Sequence, residues 1–489
     1  MSEFEIKLHV PDDSLAAVQA AVSRGDAGTL RLRARYFDTP DGQLAAARIA
    51  LRVRQEGRRW VQTAKAAGDS VLHRLEEEVA LAAGEPPLPV LRRHAGTALG
   101  ERLAQVLGGS GARADAALVE LYRTDVSRTI RMLKAGTTAL ELALDVGWVS
   151  AGRHRSRVQE LELELKSGSR AAAIELAQQW CERHGLWLDT VSKAERGQIL
   201  AASLQQRDPA RFEPPSLNKR MEGSALLRAI VTSALDQVLG NASQVATGAH
   251  TPEHVHQLRI GLRRLRTVAR ELQGIEPFIE DADLEVLAET FRTLGTQRDL
   301  TFVQPQLIAQ MRSDGAPPLD LAGVEVPDPA AVLRATPLQS VLLRLLGWLA
   351  ADASSDVQAK AAREAITHRL HKLHARTVKD GAGFGALPPV AQHAMRKRFK
   401  RLRYLSESVA SLYPARKVAR FIDELKPVQD ALGALQDGRM AADFWAARAE
   451  RDPRAWFAVG WLRAREAASL AACEAALARY TKRAKPFWR

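Results

Sequence analysis

Glu160-Leu161-Glu162-Leu163-Glu164-Leu165-Lys166 alternates charged and apolar residues without a break. A period of two is the repeat of an extended strand, so the glutamates and Lys166 share one face and the leucines the other. The amino-terminal Glu3-Phe4-Glu5-Ile6-Lys7 has the same alternation, with Glu3, Glu5 and Lys7 opposed to Phe4 and Ile6. One such strand is ordinary, because a half-buried strand alternates for solvation alone. Two of them, with basic strands between, imply a sheet that gathers both signs of charge around a cavity. Carboxylates bind hard cations and lysine or arginine binds phosphate, so the pairing points to a metal–phosphate site.

Working outward, residues 1–200 read as strands at 2–10, 30–37, 49–55, 59–66, 73–81, 120–133, 138–146 and 158–166, with helices at 12–23, 88–107 and 169–184. Asp41-Gly42 and Glu56-Gly57 mark turns between neighbouring strands. Eight strands with hairpin connections favour an antiparallel barrel over a parallel sheet. The expected fold is α+β: an eight-stranded antiparallel β-barrel tunnel with flanking helices over 1–203, a linker at 204–219, and an all-α helical domain over 220–489.

The helical half reads as a duplication, with pseudo-repeats at about 220–310 and 335–489. His256-Gln257-Leu258-Arg259 leads to Arg263-Arg264-Leu265-Arg266, and His393-Ala394-Met395-Arg396 leads to Lys400-Arg401-Leu402-Arg403. Leu294-Gly295 followed by Arg298-Asp299 matches Leu432-Gly433 followed by Gln436-Asp437. A shared register over unlike residue types is the mark of a repeated unit. Within each copy the cations fall on one helix face. The first stripe is His256, Arg259, Arg263, Arg266 and Arg270; the second is His393, Arg396, Lys400 and Arg403. A third, Arg369, Lys372 and Arg376, lies upstream of the second.

Charge follows this division. Residues 1–210 hold 29 Lys+Arg against 27 Asp+Glu, and residues 211–489 hold 41 against 30. Most of the net +13 therefore sits in the helical half, which makes that half the candidate for a polyanionic partner. A lone basic stripe is usually a solvated face. Here few acids stand at the four-residue spacing that would neutralise the cations. The stripes lack interleaved aromatics for base stacking, so polyphosphate fits better than nucleic acid. Cys181 and Cys473 are the only cysteines, which argues against a disulfide framework and for a reducing, cytoplasmic setting. No apolar stretch reaches bilayer length and no signal pattern opens the chain, so no membrane partner is expected.

In the first half, Tyr36-Phe37-Asp38-Thr39-Pro40 runs from a strand into a turn, Leu51-Arg52-Val53-Arg54 puts two guanidiniums on one face, and Gln62-Thr63-Ala64-Lys65 adds a lysine. Arg74, Glu76 and Glu78 share a face; Arg128, Glu141 and Asp145 follow on later strands, and Lys193 and Arg196 come after the last. Each has a bland reading. Glu76 and Glu78 can be cross-strand partners of Arg52 and Arg54, and Asp38 can simply cap its turn. So many strands presenting charge at matching parity is harder to dismiss.

These motifs, in this order over nearly all of residues 1–200, resemble the CYTH or triphosphate tunnel metalloenzyme family. The His-x-x-Arg-x-x-x-Arg-Arg-x-Arg stripes resemble the CHAD domain, and the tandem resembles bacterial CYTH–CHAD inorganic triphosphatases. The resemblance implies a closed tunnel that hydrolyses inorganic triphosphate to pyrophosphate and phosphate with Mg or Mn as cofactor. It makes Glu3, Glu5, Asp145, Glu162 and Glu164 metal ligands and Lys7, Arg52, Arg54, Lys65, Arg128, Lys193 and Arg196 phosphate ligands. Glu5, Lys65 and Glu164 form the catalytic group, while Glu160, Glu76, Glu78 and Glu141 match family acids without an assigned role. A second metal or an interior glutamate could activate the attacking water. An organic triphosphate as substrate, or a non-catalytic polyphosphate receptor, are the competing readings.

Overall fold

The structure is a computed structural model and describes residues 2–70, 73–352 and 357–488, without the side chains of residues 2–3, 67–70, 73–74, 135 and 302. The alternating segments are strands: β1 (Ser2–His9), β2 (Gly28–Asp38), β3 (Ile49–Glu56), β4 (Arg59–Ser70), β5 (His73–Ala80), β6 (Val119–Ala135), β7 (Thr138–Ala151) and β8 (His154–Ser167). A ninth, β9 (Trp187–Leu188), is two residues long, too short for any periodicity to announce. The sheet order is β5-β4-β3-β2-β6-β7-β8-β1-β9, every pairing antiparallel, and β1 also pairs with β5.

The helices are α1 (Asp12–Val22), α2 (Gln43–Ala46), α3 (Ala98–Leu107), α4 (Ala112–Ala116), α5 (Arg170–His184), α6 (Lys193–Ala201), α7 (Gly223–Ala246), α8 (Pro252–Leu272) and α9 (Asp281–Arg298). They continue with α10 (Gln304–Ser313), α11 (Pro329–Arg334), α12 (Thr336–Ala350), α13 (Ala359–Gly381), α14 (Pro389–Ser408), α15 (Ala415–Ala449), α16 (Ala455–Ala464) and α17 (Glu466–Arg483). The architecture is α+β, an antiparallel sheet followed by a helical region. The segment after Asp41-Gly42 is not a tight turn between strands. Asp38 accepts hydrogen bonds from the backbone N–H of Thr39, Leu44 and Ala45 at 2.7–2.9 Å and so seats α2 between β2 and β3.

Two units are resolved by their internal packing. The first is Met1–Ala210 with Leu239–His254 and Ala330–Ala351; the second is Arg211–Val238, Val255–Pro329 and Asp352–Arg489. In the first, the apolar face of β3 and β4 (Ile49, Leu51, Ala64, Ala66) buries against Leu44 of α2 and Leu99 and Leu103 of α3. Each such leucine contributes about 1.5–3 kcal/mol. The two later segments complete this unit. α12 lies against α5, the Leu188 N–H donates to Gln339 Oε1 at 2.8 Å, and the Thr190 N–H donates to Ser243 Oγ at 2.9 Å. Arg334 donates to the Ala246 carbonyl at 2.7 Å and lies 4.6 Å over the Trp187 ring.

In the second unit the two copies are tied reciprocally. Arg264 of the first copy donates to Glu407 of the second at 2.7 Å, and Arg401 of the second, at the matching position, donates to Glu271 of the first at 2.9 Å. The pairs bring α8 and α14, the helices bearing the two stripes, alongside one another.

Candidate functional site

The strand register assembles the charged face of the sheet row by row. Glu164 of β8 stands opposite Glu5 of β1 and Glu141 of β7. Glu162 stands opposite Lys7, and Glu160 opposite His9 and Asp145. Arg128 of β6 is opposite Asp145. On β3, Arg52 is flanked by Tyr36 of β2 and Thr63 of β4, and on β4 Lys65 is opposite Glu76 and Thr63 opposite Glu78. Directly paired residues of antiparallel strands project to the same side, so these groups share one face.

Three carboxylates converge on it. Asp145, Glu160 and Glu162 each offer an oxygen within 4.8 Å of the others, and they are the group with this geometry among the described residues. Arg128 grips two of them: Nε and Nη2 donate to Asp145 at 2.7 and 2.6 Å, and Nη2 also reaches Glu162 at 2.5 Å. Lys193, delivered by the first turn of α6, is 2.7 Å from Asp145 and 2.9 Å from Glu162, and it also bonds Glu160. Lys7 lies 3.8 Å from Glu160. That turn is fixed by a capping box, in which Ser192 Oγ accepts from the Glu195 N–H at 3.1 Å and Glu195 accepts from the Ser192 N–H at 2.8 Å.

The electrostatics follow from this packing. Burial works to raise the pKa of Asp145 and Glu162, yet Lys193 and Arg128 override it and hold both carboxyls below the usual range, Glu162 by far. Burial works to lower Lys193 and Arg128, and the acids raise both well above their ordinary values. Glu160 Oε2 is buried with no hydrogen-bond donor. Oxygen-only donors, three carboxylates and an unsatisfied buried oxygen have the donor chemistry of a hard divalent cation site.

The same face of the sheet carries a second charged group on β3, β4 and β5. Arg52 donates to Glu76 at 3.4 Å, Arg54 to Glu78 at 3.2 Å, and Lys65 pairs with Glu76. Lys65 contributes to the depression of Glu162, and Arg128 to that of Arg54, so the two charged groups act on each other electrostatically. Of the expected residues, Lys7, Arg128, Lys193, Asp145 and Glu162 meet in the first group and Arg52, Arg54 and Lys65 in the second. Glu5 and Glu164 form the neighbouring row, where Glu164 is 2.6 Å from Lys166. The side chain of Glu3 lies outside the described residues. Arg196 pairs with buried Asp189, whose pKa burial pushes up but Arg196, Lys7 and His9 bring down to about 2. Sequence reasoning passed over Asp189, since it sits in no alternating run, and over Tyr36, the register partner of Arg52.

In the helical unit Arg259, Arg263 and Arg266 lie 4.8, 4.6 and 5.9 Å from the Phe291 ring, a π face standing where an acid would be expected. Gly295 makes room for Arg259, because a Cβ there would lie 2.9 Å from Nη2; Gly433, its counterpart, stands 4.0 Å from Arg396 Nη2 on the same measure. Burial, then Arg263, lowers Arg259 to about 10. Burial, then Arg263 and Arg396, lowers Lys400 to about 7, so the two stripes do converge. Arg396 keeps one acid, Asp437, at 3.0 Å. Burial and then Lys397 lower His393, and burial and then Arg270 lower Arg266. Arg403 turns to Glu407 at 2.6 Å and Arg369 to Glu271 at 3.3 Å, while Lys372 and Arg376 are exposed on α13.

Comparison with known proteins finds two family models in this chain. The CYTH domain model matches residues 1–198 and the CHAD domain model residues 229–446. The inorganic triphosphatase of Haemophilus influenzae is 29% identical over 170 residues, 34% of this chain and 45% of that protein, so the chain spans less than half the length of that relative. An uncharacterized protein of Mycobacterium tuberculosis is 27% identical over 478 residues, 89% of this chain and 85% of the other. Among solved structures, the crystal structure of the CHAD domain from the plant Ricinus communis is 24% identical, covering 56% of this chain and 97% of that one at a TM-score of 0.43. The chain thus carries a CYTH domain followed by a CHAD domain.

Proposed function

We propose that the CYTH unit rolls into a closed tunnel and hydrolyses inorganic tripolyphosphate to pyrophosphate and phosphate, and that the CHAD unit binds polyphosphate. The observation that carries the first half is the convergence of Asp145, Glu160 and Glu162 within 4.8 Å on a face that also bears Lys7, Arg128, Lys193, Arg52, Arg54 and Lys65. The pairing of β1 with β5 supports closure of the sheet. A receptor for an anion gains nothing from lining its site with carboxylates unless a metal is held there as well.

A divalent cation on Asp145, Glu160 and Glu162 would supply Lewis-acid neutralisation of phosphate oxygens. Binding then exchanges partners: Arg128 and Lys193 leave carboxylates for phosphate oxygens, while Arg52, Arg54 and Lys65 of the second group hold the chain. Water attacks the terminal phosphorus and the bridging P–O bond breaks. Pyrophosphate departs with its new charge held by these cations. We assign the proton of the attacking water to Glu5 and Glu164. Lys7 and Arg196 hold the remaining end, as an extension of the same reading.

Phosphate release from tripolyphosphate, ATP and thiamine triphosphate, with Mg, Mn or chelator, tests it. The expected result is preference for tripolyphosphate, lost on chelation and in Glu162→Gln. No turnover of any of the three refutes the hydrolase reading and leaves an anion receptor. For the CHAD unit the carrying observation is the crowding of Arg259, Arg263, Arg396 and Lys400 with so few acids. Full-length protein is expected to bind long-chain polyphosphate in preference to nucleic acid, and equal affinity for both refutes that preference.

A further inference from the structure

Tyr36 belongs to a turn motif whose remaining polar residues only shape the backbone, yet it stands in the charged row itself. Its direct register partners are Arg52 on β3 and Tyr122 on β6. The two tyrosine rings stack at 4.7 Å and 19°. Behind them lie buried Leu32, Ala34, Val126, Val149 and Val158, and Gly197 of α6 approaches so closely that a Cβ there would lie 2.0 Å from the Tyr122 ring. The phenol is thus held by packing directly opposite Arg52 of β3, and the charges of Arg52, Lys193 of α6 and Lys65 of β4 all act on it.

Arg52 has two competing positions. Glu76 lies at 3.4 Å and Glu78 at 3.7 Å, both on β5. A guanidinium drawn fully onto those acids would have to be pulled away before it could meet a ligand. We propose that Tyr36 is a positioning residue for phosphate binding, its hydroxyl holding the Arg52 guanidinium forward at the apolar floor of the chamber so that it is already aimed at an incoming phosphate end. The inference rests on the reading of this chamber as a phosphate site. A hydroxyl suits the task because it accepts from the guanidinium without adding a full charge to repel the ligand.

The test compares wild type, Tyr36→Phe and Tyr122→Phe, all full-length. Both substitutions preserve the stack, and only the first removes the oxygen beside Arg52. Inorganic pyrophosphate, a probe that needs no turnover, is expected to bind Tyr36→Phe about tenfold more weakly, the scale of a hydrogen bond to a charged group. With tripolyphosphate the loss is expected in KM, with kcat changed less than twofold. Alkaline absorbance titration gives a readout that a merely structural role would not move. Burial raises the Tyr36 phenol, but Arg52 and then Lys193 and Lys65 bring it below the usual range, whereas burial raises Tyr122, Tyr413 and Tyr480. The earliest-ionising phenol should therefore vanish in Tyr36→Phe and move to higher pH when pyrophosphate occupies the cations. If tripolyphosphate is not hydrolysed while pyrophosphate still shifts that phenol, the positioning role stands and the hydrolase reading falls. Unaltered pyrophosphate affinity in Tyr36→Phe, or a wild-type phenol indifferent to pyrophosphate, overturns the inference.

Discussion

The CYTH chamber and the CHAD stripes are both dense in arginine and lysine, and they hold those cations in opposite ways. In the chamber Lys193 and Arg128 sit against Asp145 and Glu162, and their pKa values rise despite burial. In the helical unit Lys400, Arg259 and Arg396 sit against one another, and burial with mutual repulsion pulls them down. One region stores charge as opposed pairs that a ligand must exchange. The other stores it as mutual repulsion that Asp299 and Asp437 only partly relieve and that a polyanion would satisfy. Buried cations therefore do not predict stability by their number; the sign of the neighbour decides.

Removing a cation should then act with opposite sign in the two places. Lys193→Met leaves Asp145, Glu160 and Glu162 short of a partner and is expected to destabilise the first unit by about 3–5 kcal/mol, read by denaturant unfolding. Divalent cation should return part of that loss, and no return would argue against a metal on those acids. Lys400→Met is expected to stabilise the second unit by about 1 kcal/mol below pH 7. The sign follows from linkage: a lysine lowered to about 7 in the fold but near 10.4 in the unfolded chain binds its proton longer when unfolded. Stability from this group therefore climbs as pH rises from about 7 towards 10, and the gain of Lys400→Met should fade over the same window. Destabilisation by Lys400→Met at pH 6 would break the contrast.

Ligand binding sharpens it further. Polyphosphate near Lys400 should raise its pKa and draw a proton from solution at pH 8, seen as a buffer-dependent heat in calorimetry. Pyrophosphate in the chamber should take up little, since Lys193 is charged already. The smallest expected effect separates the two repeats. Gly295→Ala should disturb Arg259 and weaken polyphosphate binding about twofold to threefold, while Gly433→Ala, with Arg396 at 4.0 Å, should not.

Eight strands were legible because each buries one face and so alternates. β9 was not, since two residues have no period. The parity of Glu160, Glu162 and Glu164 was legible too. Which of them meets Asp145 depends on the β7–β8 register, which puts Asp145 opposite Glu160, and register is fixed by pairing across strands rather than by either strand alone. Asp189 escaped notice because its partners Arg196 and Lys7 converge only in three dimensions. The duplication was legible from its offset, whereas the reciprocal pairs Arg264–Glu407 and Arg401–Glu271 were not, because nothing in one copy names its partner in the other.

Synthesis order gives the composition of the first unit a further meaning. Leu239–His254 and Ala330–Ala351 complete a unit that begins at the amino terminus, and Leu188 and Thr190 donate to Gln339 and Ser243 from those segments. A ribosome releasing residue 210 has exposed every strand, yet the helix that covers α5 is still to be translated. The nascent sheet must wait for it with the buried side of α5 open, the state in which aggregation and chaperone capture compete with folding. For the first unit, a pause in translation before residue 351 is out should favour aggregation where a later one should not.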